Sequence, residues 1–312
     1  MVSVVIVSWN AKDYLAQCLE SLATIRGSVS LEVFVVDNAS ADGSPEMVRE
    51  RFPSVRLIQT GANLGFAKAN NMGIRQCKGR YVCLVNSDIK VLNQCIETLV
   101  SFCQAHPEAG MVGPRIMGGD GQLQRSCRGF PGLWNMLCRA LALDAMFPQC
   151  AWFGGYLLPH WKHDVQKPVD ILSGCFWLVR REALDRVGLL DEDFFMYGED
   201  MDWCKRFWEE DWQVVYVPEA MAVHYGGASS ANAPLRFFIE QQRADLHYWK
   251  KHHSRFAQRC YFLISVLHHA LRVSGYAGVS LVHGRNASQW GFKMIRGLRC
   301  LQWLLFAVKS SV

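Results

Sequence analysis

The chain has 312 residues, 50% hydrophobic and 20% charged, enough for one large or two small domains around a sizeable core. Its net charge is +5 with no long Lys/Arg block, which excludes a nucleic-acid-binding surface of the basic-stripe kind. Diffuse positive charge of this size suits phosphate-bearing ligands or an anionic membrane surface.

In chain order, residues 2–9 are a continuous β-branched run, the pattern of a strand covered on both faces. They follow no basic n-region, so they read as a first core strand and not as a leader. Residues 11–25 place Tyr14, Leu15, Cys18, Leu19 and Leu22 at helical spacing. A second strand is predicted over 31–38, and a helix over 43–51 with Pro45 in its first turn. Strands over 55–60 and 80–88 enclose a helix over 65–77, and a further helix covers 92–105. Such alternation implies parallel βαβ units. Residues 111–170 are less regular and read as strands plus a mobile loop over the site, with a hairpin turn at Gly118-Gly119-Asp120-Gly121. Residues 169–184 read as a strand entering a helix, and 212–227 as a strand bent at Pro218 that reaches His224. Residues 234–252 and the last sixty residues read as helical. No stretch reaches the roughly 18 uninterrupted apolar residues of a membrane span.

The 12 cysteines include no CxxC pair, which excludes metal-finger and redox motifs. Cys83, Cys175 and Cys204 sit among apolar residues and read as buried, reduced thiols. That suits a reducing compartment, the cytoplasm.

Ligands of open parallel sheets bind beyond the carboxyl ends of the strands. Those ends read Ser8-Trp9-Asn10, Asp37-Asn38, Asn63-Leu64-Gly65 and Asn86-Ser87-Asp88. Together they make a polar rim, which reads as one shared ligand site ahead of simple caps and turns. Asp88 either holds Mg²⁺ or Mn²⁺ or caps a helix from residue 90 onward. Asp37 either accepts hydrogen bonds from a ribose or base, or closes an Asx-turn. No GxGxxG or GxxxxGK[ST] occurs, so a nucleotide must be held by side chains and a metal. His224 is a metal ligand, a group facing a diphosphate, or a structural residue. Gly226, Gly227, Ser229 and Ser230 after it favour a phosphate-binding loop.

The segment FFMYGEDMDWCKRF (194–207) sets three carboxylates among aromatic rings, where apolar neighbours and like charges disfavour ionisation. If a helix starts at about residue 198, Asp202 pairs with Arg206 and Trp203 packs with Phe207, each at i, i+4. Glu199 and Asp200 are left at the helix entrance, where a general base has access to a hydroxyl.

The segments VVIVSWN, VVDNASADGS, NLGFAKANNMGI, LVNSD, SGCFWLVRREALDRVGLLDEDFFMYGEDMDWCKR and HYGGAS occur in the order found in glycosyltransferase family 2. Over residues 2–232 the chain resembles that family's rhamnosyltransferase-like branch, which builds bacterial surface polysaccharides. The resemblance implies an α/β GT-A fold, with a mainly parallel central sheet flanked by helices, and inverting transfer from a nucleotide-diphospho-sugar. It implies a catalytic domain over 1–232, with a nucleotide-binding half to about 110 and an acceptor-binding half beyond. Residues 233–312 form a helical extension. By resemblance, Ser8, Asn10 and Asp37 bind the nucleoside, and Asn63, Gly65 and Asn70 lie near nucleotide and donor sugar. Asn86-Ser87-Asp88 stands for the D-x-D that holds Mg²⁺ or Mn²⁺, with His224 completing the shell. Asp200, of the pair Glu199-Asp200, matches the catalytic base, and Arg128 lies near the active site. Asn86 departs from the family's first Asp and leaves Asp88 the only charged ligand of the three. That departure motivates a rival reading, an inactive sugar-nucleotide-binding protein. The donor implied is dTDP-rhamnose, with UDP-hexoses behind it. The acceptor is a glycan or polyprenyl-linked glycan. The basic, apolar C-terminal helices suit either the inner face of the cytoplasmic membrane or packing against the catalytic domain.

Overall fold

A computed structural model of the chain describes residues 1–25, 29–226, 234–282 and 287–309. The N-terminal part alternates as read: β1 (Val2–Ser8), α1 (Lys12–Ala23), β2 (Leu31–Asp37), α2 (Ser44–Arg51), β3 (Arg56–Gln59), α3 (Phe66–Ile74) and β4 (Tyr81–Asn86). Then come β5 (Ile89–Val91), α4 (Cys95–Ala105), β6 (Ala109–Gly118), β7 (Leu123–Gln124) and β8 (Cys127–Arg128). Helices α5 (Leu133–Ala140) and α6 (Leu143–Met146) precede β9 (Lys167–Pro168), β10 (Ile171–Leu172) and β11 (Phe176–Arg180). α7 (Arg181–Val187), α8 (Glu199–Glu209) and β12 (Gln213–His224) follow. The chain continues through α9 (Pro234–His252), α10 (Arg255–Val282) and α11 (Ala287–Lys309).

The central sheet runs β3-β2-β1-β4-β11-β6-β12-β5. The β1–β2, β1–β4, β2–β3 and β6–β12 pairs are parallel and carry most of the ladder, while β11 runs antiparallel between β4 and β6. Val2, Val4, Val5 and Ile6 of β1 are wholly buried, as their unbroken apolar run requires. Each contributes about 2 kcal/mol by leaving water. The ladder of β12 on β6 shifts register between Val217 and Met221. Pro218 lies in that gap, where a residue without an N–H costs no ladder bond. The hairpin turn closes with Gly118 N–H on Gln122 O at 2.7 Å, and Gly121 takes φ +77°.

The polar end of β4 is shorter than the sequence suggests. β4 stops at Asn86, a turn carries Ser87 and Asp88, and the three-residue β5 pairs with β12. The next helix begins only at Cys95, so Asp88 is not its cap. Within 131–170, α5 and α6 replace part of the loop expected there. The structure divides into two compact units, Met1–Phe130 with Trp161–Asn232, and Pro131–His160 with Ala233–Val312. Residues 131–160 thus group with the C-terminal helices. All twelve cysteines are free thiols. Among the described residues, no helix is long and apolar enough to cross a membrane.

Candidate active site

Parallel pairing brings the carboxyl ends of β1, β2 and β4 side by side, with Ser8 opposite Asp37 and Val7 opposite Asn86. Ser8 and Asp37 are buried, yet Ser8 Oγ and Asp37 Oδ1 have no hydrogen-bond partner among the described residues. Buried polar atoms are nearly always paired, so two neighbouring orphans mark a place for a ligand to complete. The other Asp37 oxygen, Oδ2, accepts from Ser40 N–H at 3.2 Å. Burial pushes the Asp37 carboxyl above its usual range, and the Ser40 hydrogen bonds oppose that shift.

Of three other predicted ligand residues, two hydrogen-bond to loops and one within α3. Asn10 Oδ1 accepts from Ala41 N–H at 2.7 Å. Asn63 Oδ1 accepts from Asn38 Nδ2 at 2.9 Å and from Gly65 N–H at 3.1 Å. Asn70 Nδ2 donates one helical turn back to Phe66 O at 3.0 Å. The organiser is Asn38, whose role the sequence did not disclose. Its Nδ2 also donates to Gly65 O, and its Oδ1 accepts from Leu64 N–H at 2.8 Å. Gly65 is obligatory. Its φ is +83° with ψ −178°, and a Cβ there would lie 2.3 Å from Phe195 O. That carbonyl accepts from Phe66 N–H at 2.7 Å, tying the 60–65 loop to the segment that leads into α8.

On the other side of β4, Asp88 and His224 face each other, with Oδ1 and Nε2 3.2 Å apart. The backbone fixes this pairing, because His224 lies opposite Ile89 and Tyr225 N–H donates to Asp88 O. His224 Nδ1 lies 2.8 Å from Gln124 Oε1. With Gln124 assigned as acceptor, Nδ1 carries the proton. Nε2 then meets the carboxylate as an imidazolium, or through a lone pair that requires a cation between the two. Two neighbouring ligands of an octahedral divalent ion are about 3 Å apart. A ligating imidazole ordinarily donates its other N–H as this one does. Asp88 and His224 therefore fit a divalent cation. Asn86 stands at the mouth of the same turn, its N–H on Cys175 O at 3.0 Å. Gly227, Ser229 and Ser230 lie outside the described residues.

The segment 173–175 runs from this rim to the carboxylates of α8. Burial, then the charge of Asp88, pushes the Cys175 thiol up to about 12, which makes it a packing residue and no nucleophile. Gly174 sits against Glu199, where a Cβ would lie 3.7 Å from Oε1. Helix α8 starts after Tyr197 and Gly198, both left-handed, with φ +68° and +79°. That sharp entry turns Glu199 and Asp200 inward, and both are buried. Asp202 pairs with Arg206 at 2.9 Å, and Trp203 meets Phe207 edge-on at 5.4 Å and Trp177 at 5.3 Å. This stripe anchors the helix.

Arg128 arrives on β8, held opposite Ile171 of β10, and its guanidinium pairs with Asp200 Oδ2. Asp200 Oδ1 accepts from Met201 N–H at 2.9 Å. Glu199 is different in kind. Its Oε2 has no hydrogen-bond partner among the described residues, and burial together with the Asp200 charge pushes its carboxyl up to about 8. Burial and the neighbouring charge thus favour the protonated form of Glu199, next to an Asp200 that an arginine faces. The aromatic setting acts on Glu199, while a strong cation meets Asp200.

Residues 3–188 match the sequence profile of Glycosyl transferase family 2. The chain belongs to this family. As a family 2 enzyme it is a glycosyltransferase, and it is 32% identical over 262 residues to the N-acetylglucosaminyl-diphospho-decaprenol L-rhamnosyltransferase of Mycobacterium tuberculosis. That match covers 80% of this chain and 84% of the relative. The low-salt glycan biosynthesis hexosyltransferase Agl10 of Haloferax volcanii is 24% identical, over 71% of this chain and 66% of its own. Among solved structures, the mannosyltransferase PcManGT of Pyrobaculum calidifontis, in complex with GDP-Man and Mn²⁺, superposes with TM-score 0.57 at 18% identity. It covers 97% of this chain and 87% of that one. TarS 1–349 of S. aureus superposes with TM-score 0.51 at 14% identity, over 100% and 92%. The family 2 chain has the GT-A fold.

Proposed function

We propose that the enzyme transfers L-rhamnose, with inversion, from dTDP-rhamnose to a hydroxyl of a polyprenyl-diphosphate-linked glycan in surface polysaccharide synthesis. The observation that carries the reading is the buried pair at the start of α8, with Asp200 paired to Arg128 and Glu199 Oε2 without a hydrogen-bond partner among the described residues. The mycobacterial relative, 32% identical and named for transfer of L-rhamnose to a decaprenol-linked acceptor, supports the sugar and the acceptor. In this reading the enzyme works at the inner face of the cytoplasmic membrane, a location that a polyprenyl-linked acceptor would suit.

In this reading Asp200 takes the proton of the acceptor hydroxyl. The oxygen attacks the anomeric carbon from the face opposite the diphosphate. The bond from that carbon to the diphosphate oxygen breaks, and the nucleoside diphosphate leaves with the electron pair. Arg128 fixes the rotamer of Asp200. Glu199, held protonated, keeps a second negative charge away from the base and offers a hydrogen-bond donor. Ser8 Oγ and Asp37 Oδ1 complete their hydrogen bonds with the nucleoside. Asp88 and His224 would hold Mg²⁺ or Mn²⁺, which supplies charge neutralisation on the diphosphate.

The test is a donor screen with a synthetic N-acetylglucosaminyl-diphospho-polyprenol acceptor. Turnover with dTDP-rhamnose well above that with UDP-glucose or UDP-N-acetylglucosamine is expected. Turnover with UDP-hexoses alone would overturn the sugar assignment and keep the mechanism.

A further inference from the structure

The last 67 residues, after Asp245, contain ten Lys and Arg and no Asp or Glu. The chain has 33 Lys and Arg against 28 Asp and Glu, so the residues up to Asp245 carry 23 against 28 and are net acidic. The positive character of the protein therefore resides in this one helical segment.

The same segment leaves its apolar residues in water. On α10, Phe256, Leu263, Leu267 and Leu271 recur at spacings of seven and four, which puts them on one face. All four are exposed, Phe256 at 74% and Leu263 at 65%. Exposed Arg255 and Arg259 flank the head of this stripe. On α11, Phe292, Ile295, Leu298 and Phe306 are exposed as well, Phe306 at 67%, with exposed Arg299 among them. α10 and α11 pack on each other, and α10 also on α5, so their inner faces are already used. Leu304 and Cys300, by contrast, are buried.

Soluble surfaces rarely expose contiguous apolar stripes without a partner. Over its described residues, neither helix is long and apolar enough to cross a bilayer. A helix with Leu and Phe on one face and only cations among its charges lies in the plane of an anionic membrane surface. There the apolar side chains enter the acyl boundary and the cations meet lipid phosphates. A protein partner would need acidic groups matched one by one to the arginines, whereas a bilayer presents them everywhere. We infer that α10 and α11 form a docking surface for an anionic phospholipid bilayer. The inference stands on these helices alone and does not depend on which sugar or acceptor the active site uses.

The full-length protein is mixed with sedimenting vesicles of phosphatidylcholine, with or without phosphatidylglycerol, and the bound fraction is measured against salt. Binding to the anionic vesicles is expected at least tenfold above that to neutral ones, falling as salt rises. In Leu263→Gln/Leu267→Gln it should fall at least tenfold, and in Arg255→Gln/Arg259→Gln it should weaken severalfold with a shallower dependence on salt. Donor hydrolysis in detergent-free buffer should match wild type in both variants and confirm that they fold. Equal binding of wild type to neutral and anionic vesicles, or binding to neither, would overturn the inference without recourse to the variants. So would a concentration-dependent dimer that the Leu variant abolishes while vesicle binding stays absent, since a second copy would then be the occupant.

Discussion

Glu199→Gln removes one ionisable group and keeps its shape, which makes the buried carboxyl pair open to measurement. Folded Glu199 holds its proton up to about pH 8, against an ordinary value of 4.5. Between those values the folded protein binds a proton that the unfolded chain has released. Stability must then fall as pH rises. The slope is at most about 1.4 kcal/mol per pH unit, with no contribution to the slope below about 4.5 or above about 8. For a unit of roughly 200 residues, 1 kcal/mol corresponds to about 2–4 °C in Tm. Glu199 should therefore cost the wild type up to about 3–5 °C for each pH unit between 5 and 8. Scanning calorimetry of both proteins from pH 5 to 9 reads this as a difference between the two, with Asp200, which is coupled to Glu199, the other group the substitution touches. The variant should gain on wild type steadily as pH rises, with the gap constant above about pH 8. Parallel curves across the whole range would refute the claim that burial keeps Glu199 protonated.

Gly65→Ala should be severe for a different reason. The Gly-only backbone conformation costs about 1–3 kcal/mol for alanine, and the clash with Phe195 breaks the Phe66–Phe195 hydrogen bond for about 1 more. Tm should drop by roughly 5–15 °C and turnover should fall with it, because Phe195 leads into Glu199 and Asp200. A variant that melts within a degree of wild type would show that the loop yields freely. Gln124→Leu leaves Asp88 and His224 in place but removes the acceptor that orients the imidazole. Mn²⁺ affinity, read by electron paramagnetic resonance of the free ion, should weaken about 10–100-fold. Unchanged affinity would remove Gln124 from the account.

The strands were legible because buried parallel strands have the simplest signature, unbroken β-branched runs such as residues 2–8. The pairs of α8 were legible for a related reason, since Asp202–Arg206 and Trp203–Phe207 lie one turn apart. Strands β7 to β10 were not, because a two-residue strand is defined by its partner and has no period of its own. The same holds for the site. Asp37 and Asp88 announce themselves at strand ends, but Arg128 meets Asp200 across 72 positions and Gln124 meets His224 across 100. Asn71 secures Leu190 across 119 positions. An asparagine near a strand end looks the same in sequence whether or not it braces a loop, as Asn10 and Asn63 do.

The central claim is that Asp200 is the base that takes the acceptor proton. Asp200→Asn keeps the size and shape of the side chain and removes its basicity, together with one of the two acceptor oxygens that meet Arg128 and Met201. Transfer of rhamnose to the polyprenyl-linked acceptor, followed as radiolabelled product with donor affinity measured in parallel, should fall by about 10²–10⁴ in kcat while donor Kd stays within a few-fold. Transfer by Asp200→Asn within a few-fold of wild type would contradict the account and move the base elsewhere.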